Sequence, residues 1–216
     1  MIDASFYTDW FIPILIIVIF LILLAHHKPE EDYFFEKISN YFKKRSTSIF
    51  NEKTRRKKVV FTLKPTYQLN KVVVEVFNRP STMMIGTHFY PSSYSMARLT
   101  MYPRFSLDYY LFVKKRIPLD FSSTVPVKEI KLGIPDVDKN FIIATNDKEL
   151  TEFIFRDSTF KKYLVKVFTL EFLLIEKEPF FAITIELKLK PYEAIYSFLA
   201  IERAIELMKM VRKPLG

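Results

Sequence analysis

Four side chains in one short stretch have the types and spacing that invite chemistry. Asp136, Asp138 and Asn140 alternate, and Asp147 stands at the twelfth place counted from Asp136. That is the outline of a calcium-binding loop, in which carboxylates at alternate positions close on a hard cation. Such a loop turns sharply on a glycine at its sixth place and closes with a glutamate at its twelfth. Here the sixth place is Phe141, the first residue of an apolar run. The stretch is therefore expected to be a solvated turn before a strand, followed by an aspartate cap. Because the apolar run follows the aspartates, they also do not suit a phosphoaspartate nucleophile.

Other chemistries find little to work with. The three histidines are His26 and His27, at the end of a hydrophobic stretch where a polar ring is ordinary, and His88, which has no histidine or glutamate at ligand spacing nearby. There is no cysteine, so disulfides, thiolate catalysis and thiolate metal ligands are all excluded. Three glycines leave few phosphate-cradling loops. The signatures of serine hydrolases, phosphate-binding loops, dinucleotide folds and zinc proteases do not occur. Glu171, Glu176 and Glu186 fall in strand-like runs whose alternation places them on a solvated face. Neither catalytic residues nor a metal or cofactor is expected. The remaining place for a ligand is the β-rich middle of the chain, where His88, Arg98 and Arg104 could gather around an anionic or lipid-derived small molecule.

The elements that would position these groups begin with a hydrophobic stretch. Residues 10–25, WFIPILIIVIFLILLA, contain no charge. As a helix they would extend about 24 Å, close to the thickness of a hydrocarbon core. Trp10, Phe11, Ile12, Leu15, Ile19 and Leu23 are the expected anchor residues of a single transmembrane helix within residues 1–28. The leader carries Asp3 and Asp9 with no lysine or arginine, unlike a signal peptide. Lysines and arginines concentrate after the stretch. Between residues 33 and 58 nine of them face only Glu36 and Glu52, which accounts for most of the net charge of +9. This asymmetry predicts a single-pass protein of the cell membrane, N-terminus outside and C-terminal domain cytoplasmic. Nucleic acid is a weaker explanation for the basic run, because no nucleic-acid-binding signature accompanies it.

Residues 29–58 read as a basic, amphipathic juxtamembrane helix over 29–50 and a connector. Phe34, Ile38, Tyr41, Phe42 and Ile49 recur at helical spacing, a stripe that suits either anionic headgroups or packing on the helix's own domain. Lys43, Lys44, Arg45, Arg55, Arg56, Lys57 and Lys58 are the expected contacts to anionic lipid. Residues 59–116 alternate in β-branched and aromatic side chains. The turn or edge signals at 79–81, 91–93 and 103 divide them into about five antiparallel strands. Residues 117–127 suggest a boundary. The remainder, to residue 216, predicts a strand at 141–145, helices at 148–155 and 159–166, strands at 168–175 and 181–189, and a long helix at 192–212. That order, βααββα, implies an α+β layer with helices on one face of a sheet.

The run GIPDVDKNFIIATNDKELTEFIF, with the short helix, strand pair and long helix after it, resembles a group of uncharacterised membrane-anchored prokaryotic proteins. The resemblance covers residues 132–212. It implies a C-terminal α+β domain behind an N-terminal hydrophobic anchor, and it brings no catalytic residues. Taken together, the expectation is a non-enzymatic, membrane-anchored protein. Its cytoplasmic domain would bind a protein partner as accessory or scaffold subunit of a membrane complex. The alternative is a membrane-tethered ligand-binding module or enzyme.

Overall fold

The computed structural model describes residues 30–53, 57–85, 88–116, 128–176 and 181–211. The elements are α1 (Glu30–Lys43), β1 (Ser46–Lys53), β2 (Lys57–Leu63), β3 (Leu69–Ile85), β4 (His88–Pro103), β5 (Leu111–Lys115), α2 (Pro135–Asn140), β6 (Phe141–Thr145), α3 (Lys148–Arg156), α4 (Ser158–Leu164), β7 (Leu170–Glu176), β8 (Ala182–Lys188) and α5 (Pro191–Val211). The strands form one eight-stranded sheet, in the order β1-β2-β3-β4-β8-β7-β5-β6. Every neighbouring pair is antiparallel.

Strand alternation divides the sheet into two faces. Phe61, Val74, Leu99, Leu173 and Ile185 point into the main core, together with Phe34, Phe42, Ile154, Phe160, Phe198 and Ile201 from the helices. Phe42 stacks on Phe61 at 4.8 Å and meets Phe198 edge-on at 4.9 Å, so α1, α5 and the sheet share one aromatic contact. Intervening residues such as Glu75, Arg98, Thr184 and Glu186 belong to the opposite face. Asp147 and Asp157 cap α3 and α4 by accepting from the amides of Leu150 and Phe160, at 3.0 and 2.7 Å.

Two expectations about the architecture are corrected. The β-rich region and the C-terminal layer are not separate units, because β4 pairs with β8 from Met96–Lys188 to Met101–Ile183. The β4–β8 ladder makes them one sheet. The expected transmembrane helix forms no part of the described architecture. Among the described residues no helix is long and apolar enough to cross a membrane, and residues 1–29 lie outside them. The boundary expected at 117–127 lies outside them as well.

The juxtamembrane helix is also shorter than its pattern suggests. It stops at Lys43 and the chain turns into β1, which pairs with β2 from Ser46–Leu63 to Lys53–Lys57. Its aromatic stripe does not face lipid: Phe34, Phe35, Ile38 and Phe42 are all buried in the domain's own core.

Instead of three shorter strands, β3 and β4 make one long hairpin whose register runs to Ile85–His88. The pairing of β2 with β3 ends at Val76, and that of β8 with β4 ends at Met96. Residues 77–85 and 88–95 therefore project past the sheet as a two-stranded arm. At 3.4 Å per residue the arm is about 30 Å long. Of the turn or edge settings expected for Pro80 and Pro91, the register gives the edge: both lie in the arm, opposite Ser93 and Thr82. Among the described strands each arm strand has an outer side with no neighbour, where a missing amide hydrogen breaks no ladder.

Candidate functional site

The densest polar cluster lies on the sheet face opposite the main core. Glu186 of β8 is almost completely buried, with its side chain 3% exposed. Its Oε1 accepts from Arg98 Nε at 2.8 Å and Nη2 at 2.6 Å, and its Oε2 accepts from Arg79 Nη2. Arg79 also donates to Glu171 at 3.1 Å. Arg98 lies 4.0 Å from Glu75, which in turn lies 3.8 Å from Lys58. The Arg98 guanidinium sits over the Phe77 ring at 4.9 Å. Burial works against the Arg79 charge, but the Tyr94 side chain and the carboxylates of Glu186 and Glu171 outweigh it and raise its pKa.

Three carboxylates balance three cations, and both Glu186 oxygens are occupied. A buried carboxylate satisfied in this way fixes the register of the strands that carry its partners. The cluster joins β3, β4, β7 and β8 where the arm leaves the sheet. Sequence alternation assigned Glu186 to a solvated face. What it missed is that Arg79 and Arg98 approach from strands far away in the chain.

A second group lines an open cleft of about 330 Å³ between α4 and α5, formed by Thr159, Tyr163, Leu199, Glu202, Arg203 and Glu206. Burial pushes the Glu202 carboxyl up to about 7, with Arg45 opposing the rise and Glu206 adding to it. Nearby, the Tyr41 hydroxyl is buried with no hydrogen-bond partner among the described residues, and its pKa is pushed up to about 12, chiefly by burial. Arg45 lies over the Tyr41 ring at 3.9 Å and donates to the Tyr41 carbonyl. Arg203 is engaged by Asp157 at 2.8 Å and Glu206 at 3.0 Å. Glu202 is therefore a carboxyl that exchanges a proton near neutrality. Two glutamates beside one committed arginine do not favour an anionic ligand here.

The three residues expected to form a ligand site do not come together. Arg98 belongs to the Glu186 cluster. Arg104 lies past the opposite end of β4 and donates to the carbonyls of Tyr67, Leu63 and Lys64 at 3.0, 2.9 and 3.3 Å. His88 pairs through its backbone with Ile85 at the far end of the arm. Ten residues of strand separate it from Arg98, about 34 Å.

The expected lipid contacts are split as well. Lys43 ends α1 and Lys44 and Arg45 follow it, beside Lys64, whose amide donates to the Arg45 carbonyl. Lys57 and Lys58 begin β2 at the end of the sheet from which the arm leaves, with Lys57 paired to Asp32. Arg55 and Arg56 lie outside the described residues, as do the anchor residues from Trp10 to Leu23.

Asp138, singled out for its loop spacing, accepts from the amides of Leu132 and Gly133 at 2.9 Å each. Gly133 has φ +72°, where a side chain would be strained. The aspartate thus organises the turn into α2. Among the described residues no group of three or more histidines, aspartates or glutamates could hold a metal ion.

Fold and side chains together define an α+β domain built on one antiparallel sheet, with its strongest ion cluster committed to strand register. No protein-family model, curated protein or solved structure matches the chain.

Proposed function

We propose that this protein is a non-enzymatic domain held at the cytoplasmic side of a membrane, where it binds a protein partner as accessory or scaffold subunit of a membrane complex. The observation that carries the reading is the edge strand β1. It stands at one end of the strand order, with β2 as its one neighbour among the described strands. Near its centre Phe50 is 64% exposed and Ile49 42%. Edge strands are usually blunted by charge, proline or a bulge. β1 has a register irregularity only between Ser46 and Ser48, which leaves its apolar centre open. A partner strand added there would satisfy the outer backbone groups and cover both side chains. The uncharged stretch at residues 10–25 and the basic residues after it support the membrane part of the reading.

The test is a photocrosslinking amino acid at position 50 of the full chain in native membranes. The expected result is one discrete adduct to another protein, lost when Ile49→Lys and Ser48→Lys are introduced beside it. No adduct from position 50, with a stable monomer after extraction in mild detergent, would contradict the reading.

A further inference from the structure

The arm end of the sheet brings together three features that are far apart in the sequence. The first is where the chain enters the domain. Asp32, in the first turn of α1, pairs with Lys57, and Ser95 Oγ donates to Glu31 at 3.4 Å. Glu30, just past the uncharged N-terminal stretch, therefore begins the domain at the base of the arm.

The second feature is the arm itself. Its last register positions are Met83–Tyr90, Met84–Phe89 and Ile85–His88. These positions are apolar and aromatic in the sequence, and about 30 Å of paired strand separates them from the place where β2 and β8 stop pairing with the hairpin.

The third feature is a set of cations and exposed aromatic residues at the strand ends beneath the arm. Phe168 is 69% exposed, with Lys115 above its ring at 5.6 Å. Tyr192 and Val165 are also exposed. Lys188 lies over Tyr94 at 5.9 Å and Lys166 over Tyr196 at 4.5 Å. Lys190 is exposed beside them. The acidic side chains at this end include Glu193, which is occupied by the amide and hydroxyl of Thr169, Asp32, which is held by Lys57, Glu31, which accepts from Ser95, and the exposed Glu30.

The geometry points to this end of the sheet as a face that rests on an anionic lipid bilayer, with the tip of the β3–β4 hairpin entering the headgroup region as a second attachment. The inference deepens the membrane part of the proposed function and rests on it. Aromatic bodies with polar edges suit the interface, and lysines can lie along apolar surface while their ammonium groups reach lipid phosphates. Basic residues close to an anionic leaflet add attraction that a neutral surface lacks. An uncharged segment and a hairpin at one end of a domain fix its tilt, which one attachment cannot.

The absence of cysteine makes single-site labelling direct. The full chain would be reconstituted into phosphatidylcholine vesicles with and without phosphatidylserine. An environment-sensitive fluorophore would be placed at Phe89→Cys, Lys190→Cys or Thr66→Cys, and doxyl-labelled lipid would serve as quencher. Positions 89 and 190 are expected to shift to the blue and be quenched, more strongly with phosphatidylserine, while position 66 at the opposite end keeps its aqueous spectrum. If the chain floats with vesicles but positions 89 and 190 stay aqueous, the inference is overturned and the membrane reading survives. A chain that does not float with vesicles removes both. Equal quenching with and without phosphatidylserine overturns the anionic part.

Discussion

The two ends of the sheet are finished in different ways. At the end where β2 passes to β3, loops are tied by polar side chains to backbone. Arg104 gathers three carbonyls. Lys209 donates to Gln68 at 2.6 Å and lies over Phe105 at 4.7 Å. Asn146 accepts from the Tyr110 amide at 2.8 Å, and the buried Tyr109 hydroxyl meets Thr151 at 2.8 Å. At the arm end, by contrast, Phe168 lies exposed under Lys115, Tyr192 is exposed, and a hairpin runs on past its neighbours. The first end is completed by its own side chains. The second has the chemistry of a surface completed by something outside the domain.

Substitutions can sharpen or break this contrast, beginning with the groups that hold the ends together. Phe198→Ala removes the ring shared by α1 and α5 and is expected to cost about 3–5 kcal/mol in urea unfolding. Glu186→Ala leaves two guanidinium groups without their buried partner. A loss of about 3–5 kcal/mol is expected, with the arm's hydrogen exchange quickened. A loss near zero would show that the cluster does not fix the strand register. Arg104→Ala should cost roughly 1–2 kcal/mol and loosen only the opposite end.

The pH dependence of stability follows from two carboxyls. Burial raises Glu202 to about 7, so the folded state holds a proton there that the unfolded chain, titrating near 4.5, releases earlier. Stability should therefore fall as pH rises from about 4.5 to above 7, and Glu202→Gln should flatten that slope. Asp157 is held below its usual range, mainly by its hydrogen bond from Arg203. Its contribution is present above the unfolded value and is lost as pH falls through the folded one. The smallest stability effect is expected for the arm. Replacing residues 81–92 with Asn-Gly should change unfolding by about 0.5 kcal/mol or less, since the register pairs these residues only with one another.

How far the sequence disclosed this contrast depended on whether a signal was local. Caps were legible to within one residue, at Asn146 or Asp147 and at Asp157 or Ser158, because a cap lies within three residues of the amide it serves; the structure selects Asp147 and Asp157. Helices α3 to α5 and strands β6 to β8 were legible from periodicity, with bounds within about two residues, whereas the sequence of the short α2 reads as a solvated turn. β1 was not, because Ile49 continued the helical spacing of Phe42 and hid the change to strand. Pro80 and Pro91 read equally as turn or edge signals, and only the register decides for the edge. The joining of β4 to β8, and with it the Glu186 cluster, depends on residues about ninety positions apart. No spacing rule reaches that far.

Hydrogen–deuterium exchange of the full chain bound to phosphatidylserine-containing vesicles, compared with the chain in mild detergent, tests most directly whether the two ends meet different surroundings. Slower exchange is expected along residues 77–95 and around residue 190, with residues 64–68 and 104–108 unchanged. Equal protection at both ends, or protection confined to the end around Arg104, would contradict the account.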